Sequence, residues 1–94
     1  MAFYTYLLRC NDGSFYAGHT DDLEIRMGQH DSGLLGGYSA PRRPVLLVWS
    51  DSFATRDEAF AAERKIKGWG RAKKLALING DWEQIKLLAR NRQG

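Results

Sequence analysis

The sequence predicts an α+β fold, a small antiparallel sheet with helices laid on it, in the order ββαβααα. Three observations carry this. Two short tyrosine-rich runs flank Asn11-Asp12-Gly13; two stretches, Asp21-x-x-Glu24 and Thr55-x-x-Glu58, have the spacing of helix capping boxes; and an apolar run, residues 45–50, stands between those boxes. Ninety-four residues without repeats or linkers make one domain, with its core over about residues 3–80 and a last helix over about 82–90.

The hairpin comes first. Residues 2–9 and 14–19 read as two strands, and the parity of the turn decides which tyrosines share a face. A two-residue Asp-Gly turn would put Tyr6 and Tyr16 on opposite faces. A three-residue Asn-Asp-Gly loop with glycine in the left-handed position pairs Cys10 with Ser14, so that Leu8 faces Tyr16 and Tyr6 faces Gly18. Both tyrosines then lie on one face as diagonal neighbours, with open space expected over Gly18. This register is the expected one.

Asp21-x-x-Glu24 is expected to start a helix through about His30, with Leu23 and Met27 on its apolar stripe and Asp22, Arg26 and His30 four apart beside it. Residues 31–44, punctuated by glycine and proline, read as loop. The run VLLVWS at 45–50 has the pattern of a strand covered on both faces. A second helix runs from the Thr55 box to about Gly68. A third follows Gly70 and stops at Asn79-Gly80, and Asp81 caps a fourth that carries Ile85, Leu88 and Ala89.

Composition narrows the function classes. No apolar run approaches the roughly 20 residues of a membrane span, and the start, MAFYTYLLRC, lacks the pattern of a signal peptide. The single cysteine, Cys10, has no internal disulfide partner, which fits the cytoplasm. Net charge is +3, yet residues 41–74 alone carry net +5 and the rest −2. Such a run is a weak pointer to a polyanion unless chemistry stands beside it.

Some residues stand out of pattern. On a helical wheel of residues 59–69, Glu63 falls inside the apolar arc of Ala59, Phe60, Ala62 and Ile66. A carboxylate there needs a cationic partner or a metal, or it sits at the edge of the arc and pairs with Lys67 one turn on. Arg26 and His30 share a stripe and either face one pocket or belong to a solvated face. Cys10, His19 and His30 do not have zinc-site spacing. Trp69, between Gly68 and Gly70, is read as a core residue of a helix junction before a base-stacking one.

These ingredients resemble the GIY-YIG nuclease superfamily, in particular its small stand-alone bacterial members. That family has a Gly-Ile-Tyr strand, a turn, a Tyr-Ile-Gly strand, a helix with Arg and often His, and later a helical Glu. Here the first triplet is Tyr4-Thr5-Tyr6, keeping its last tyrosine, and the second is Tyr16-Ala17-Gly18, keeping tyrosine and glycine. HTDDLEIRMGQH at 19–30 is similar to the Arg helix, and AERKIKGWGRAKKLALI at 62–78 to the segment with the metal-binding glutamate. The likeness covers about residues 3–80 and implies a three-stranded antiparallel sheet flanked by helices.

The resemblance implies a metal-dependent endonuclease with nucleic acid, DNA first, as its partner. Glu63 would hold one Mg²⁺ (or Mn²⁺), Arg26 would contact the scissile phosphate, and Tyr6 or His30 would take the proton of the attacking water. Tyr16 would hold water or phosphate in line. Tyr6 serves as a base only if nearby cations lower its pKa. Arg64, Lys65, Lys67, Arg71, Lys73 and Lys74 would then hold the nucleic-acid backbone. A catalytically quiet binding module and a protein–protein adaptor on the same fold are the alternatives.

Overall fold

The computed structural model describes residues 2–33 and 39–91. Strands β1 (Phe3–Arg9) and β2 (Phe15–Thr20) are followed by helix α1 (Leu23–Ser32), a 3₁₀ turn (Ala40–Arg42), strand β3 (Leu46–Phe53) and helices α2 (Arg56–Lys67), α3 (Arg71–Ile78) and α4 (Trp82–Asn91). The strands form one three-stranded antiparallel sheet in the order β2-β1-β3. The architecture is the α+β fold expected, and none of the described helices is long and apolar enough to cross a membrane.

The three-residue turn sets the hairpin register. Gly13 takes the left-handed conformation at φ 84°, its N–H donates to the Cys10 carbonyl at 2.9 Å, and the Cys10 N–H donates to the Ser14 carbonyl at 2.8 Å. Asp12 accepts from the Ser14 N–H at 3.0 Å, bridging the turn. Tyr6 consequently stands opposite Gly18, and Leu8 opposite Tyr16.

Alternation along β1 divides the molecule into two layers. Leu7 packs with Ala17, Ile66, Ala76, Leu77 and Ile85 in the core under α2, α3 and α4. Thr5, fully buried, donates its hydroxyl to the Ala59 carbonyl at 2.6 Å and ties α2 to the sheet. Tyr6 points the other way, toward α1. Thr55 and Glu58 form the complete capping box of α2, and Asp81 caps α4 by accepting from the Gln84 N–H at 3.1 Å.

Three local readings change. The N-cap of α1 is Asp22, which accepts from the Ile25 N–H at 3.0 Å, so the Asp21-x-x-Glu24 box does not form. Thr20 accepts from the Asp22 N–H, which advances the helix start by one residue, and Asp21 instead pairs with Arg56. The stretch read as loop at 31–44 contains the end of α1 and the 3₁₀ turn; its residues 34–38 lie outside the described ones. Strand β3 is not covered on both faces. It is an edge strand, with Leu46 64% and Leu47 39% exposed. An irregularity accompanies this, since Leu7 pairs with Trp49 but Leu8 with Leu47, leaving Val48 as an extra residue.

Candidate active site

Gly18 organises the site. A Cβ at this position would collide with the Tyr6 hydroxyl and ring, so the space over glycine is filled by Tyr6 itself. Because β2 is the outer strand, the hydroxyl end of Tyr6 stands at the edge of the sheet. There it lies 3.0 Å from His30 Nε2, with the Arg26 guanidinium near enough for its positive charge to act on the phenol. His30 Nδ1 lies 2.7 Å from the Ser39 hydroxyl oxygen. Tyr16 meets the His30 ring edge to face at 5.5 Å.

Burial, with the Arg26 charge adding to it, lowers the His30 pKa, so the ring is neutral at pH 7, with one nitrogen accepting and the other donating. A ring that accepts from the Tyr6 O–H at Nε2 donates from Nδ1 to Ser39. Tyr6 is fully buried, and this burial pushes its pKa up to about 12, reinforced by Tyr16 and only partly opposed by Arg26. The lowered pKa that a tyrosine base requires is therefore absent. Desolvation outweighs the nearby cation.

Glu63 approaches from the opposite layer. It is buried on α2, one turn beyond the carbonyl that Thr5 holds, and both of its oxygens have partners. Oε1 lies 2.7 Å from His19 Nδ1, and Oε2 lies 3.1 Å from Lys67 Nζ. Lys67 Nζ also sits 5.5 Å from the centre of the Tyr16 ring, and the Glu63 charge is felt at the Tyr6 hydroxyl. The two layers thus meet around the β2 edge. Phe60, 43% exposed, rests on the His19 ring at 5.1 Å.

Of the residues singled out by sequence, Tyr6, Tyr16, Arg26 and His30 form one contiguous group, joined to Glu63 through Lys67. Among the proposed backbone-binding cations, Lys67 is engaged with Glu63, and Arg71 donates to the Gly13 carbonyl at 2.7 Å. Arg64 and Lys65 are exposed, and Lys73 and Lys74 half-buried. Two residues escaped sequence reasoning. His19 follows Gly18 directly, and strand alternation turns it to the α2 face, a signal present but unused. Ser39 comes from a stretch with no periodic pattern, so nothing local marked it.

The side chains bonded to the Glu63 carboxylate are His19 and Lys67, and no group of three or more metal-ligating side chains occurs among the described residues. This donor set does not make a cage. It does suit a hard cation that takes one carboxylate and fills its other positions with water and phosphate oxygens.

Residues 2–76 match the GIY-YIG catalytic domain. A UPF0213 protein of Bacillus pumilus is 48% identical over 71 residues, covering 76% of this chain and 72% of that protein. A UPF0213 protein of Staphylococcus saprophyticus is 43% identical over 76 residues, covering 81% and 93%. The solution structure of a UPF0213 protein from Bacillus halodurans superposes with a TM-score of 0.55 at 36% identity, covering 95% of this chain and 98% of that one. A solution structure from E. faecalis gives 0.56 at 34% identity, covering 100% and 93%. Fold and family match together define a domain of the nuclease family. The chain belongs to the GIY-YIG family, as a small relative of the bacterial UPF0213 proteins.

Proposed function

We propose that this domain is a divalent-metal-dependent endonuclease that hydrolyses phosphodiester bonds in nucleic acid, with DNA as its substrate. The observation that carries this reading is the buried hydrogen-bonded line Tyr6–His30–Ser39, with the Arg26 charge beside it and the buried carboxylate of Glu63 across the β2 edge. Arg26 contacts the scissile phosphate with its fork of donors. Substrate binding opens the strand edge so that the attacking water reaches the buried Tyr6 oxygen and gives it a proton as Tyr6 passes its own to His30 Nε2. Tyr6 is thereby a relay and His30 the base, which reconciles a phenol pKa of about 12 with proton transfer near neutrality.

Water oxygen bonds to phosphorus, the bond to the leaving oxygen breaks, and solvent supplies that oxygen's proton. Tyr16 holds water or phosphate in line. Glu63 would hold Mg²⁺ or Mn²⁺, which supplies charge neutralisation at the phosphoryl oxygens. His19 and Lys67 hold the Glu63 carboxylate in place. Arg64, Lys65, Lys73 and Lys74, with Lys67 and Arg71, contact the nucleic-acid backbone. A buried lone Cys10 suits a cytoplasmic address.

A nicking assay on supercoiled plasmid, with Mg²⁺ or Mn²⁺, tests the reading on wild type and Glu63→Gln. Nicking by wild type should fall by orders of magnitude in the variant, while its melting temperature changes by a few degrees at most. No metal-dependent nicking in wild type, with binding intact, establishes the quiet binding module. A destabilised variant that still cuts removes Glu63 from the chemistry.

A further inference from the structure

We propose that the cleft at the junction of α2, α3 and α4 is a second nucleic-acid site, one that takes an unpaired nucleobase together with its phosphates. The proposal rests on the nuclease reading and narrows its substrate to strands with unpaired nucleotides. The cleft encloses about 510 Å³, within the range of small-ligand pockets, and is walled by Trp69, Lys73, Arg64, Lys65 and Leu88.

Trp69 is half-buried. It packs against the core cluster of Ile66, Ala76 and Leu77, yet it also lines the open cleft. Lys73 Nζ stands 4.9 Å from its ring centre. A base can replace the lysine over the indole while the ammonium moves to a phosphate, the pairing of stacking and charge that single-stranded nucleic acid favours. A paired base offers only its edges in a groove, so the indole selects an unpaired one.

The flanking glycines support a ligand. Gly68 has φ −78° and Gly70 φ −75°, conformations open to any residue. A Cβ on Gly70 would meet nothing within 4 Å outside its chain neighbours, and on Gly68 the Lys65 and Arg64 carbonyls at an ordinary 3.5 and 3.8 Å. Without side chains at these positions, the cleft wall beside the indole stays open. Lys73, which lines the cleft, stands in the first turn of α3, a turn that carries no acid. The helix dipole disfavours positive charge at that end. An anionic partner in the cleft offsets this.

Metal-free fluorescence anisotropy tests the site, with labelled oligothymidylate, an abasic oligomer of equal length and a matching duplex. Wild type should bind oligothymidylate at least about tenfold tighter than the abasic oligomer. Trp69→Leu should weaken that binding by about 5- to 150-fold and Trp69→Phe should retain most of it. Equal binding of oligothymidylate and abasic oligomer overturns the site, as does a folded Trp69→Leu variant with wild-type affinity. If Trp69→Leu does not fold, the comparison of oligomers on wild type decides alone. Cleavage plays no part in this readout, so failure of the nuclease reading would show separately, as intact plasmid in the nicking assay.

Discussion

The two halves of the site are held by different physics. On the α1 side, Tyr6 and His30 are buried, uncharged and joined in a directed line of hydrogen bonds ending at Ser39. On the α2 side, Glu63 is held by a hydrogen bond with His19 and an ion pair with Lys67, whose side chain is 49% exposed. A desolvated line fixes where each proton sits, and losing one member strands its neighbours. An ion pair with a half-exposed partner is screened and forgiving. The first half is suited to proton transfer and the second to holding an exchangeable cation.

Breaking the buried line should have the larger effect. Tyr6→Phe removes the hydroxyl that His30 holds beside the Arg26 charge, and cleavage should fall by about 10²–10⁴-fold. The vacated partners should cost about 1–3 kcal/mol of stability, read by urea unfolding. Gly18→Ala probes the same line by steric means. Tyr6 is pinned by its partners, so the added methyl must shift either the hydroxyl or the strand. Cleavage should drop by at least about tenfold, with metal-free DNA binding unchanged; wild-type cleavage in this variant would show that Tyr6 does not need its present position.

Proton linkage sharpens the contrast. His30 has a lowered pKa in the folded state, so below the ordinary value of 6.5 the unfolded chain takes up a proton that the folded one does not. Its contribution to stability is present above pH 6.5 and is lost as pH falls through the folded pKa. The acid limb of cleavage should accordingly lie below pH 6.5, and His30→Gln should abolish that limb along with most activity. Tyr6 acts at the other end. Its pKa is raised from 10.0 to about 12, so stability should fall as pH rises through that interval, and Tyr6→Phe should remove this loss. Scans of melting temperature against pH check both signs.

The smallest effect belongs to Lys67→Met, which removes a half-exposed partner of Glu63 and leaves His19 in place. Stability should change by less than about 1 kcal/mol. The variant should require a different metal concentration for half-maximal nicking, most visibly at low salt, because the lysine competes for the same carboxylate oxygen. An unchanged metal requirement would mean that Lys67 and the cation use Glu63 independently.

What the sequence by itself determined lies within a few residues along the chain. The Asn11-Asp12-Gly13 turn sets the parity that puts Tyr6 opposite Gly18, the Thr55 box starts α2, and four-residue spacing sets Arg26 and His30 on one stripe. These are local geometries, decided by turn length, caps and helical period. Other features depended on segments far apart. Only packing brings His19 to Glu63 across 44 positions and Thr5 to Ala59 across 54. An apolar run such as residues 45–50 reads the same in a central strand as at an edge, and the tertiary packing left Leu46 and Leu47 of this edge strand exposed. The Tyr6 pKa was likewise settled by the tertiary structure, because desolvation depends on everything that surrounds a group, whereas a neighbouring charge is a single residue that a sequence can name.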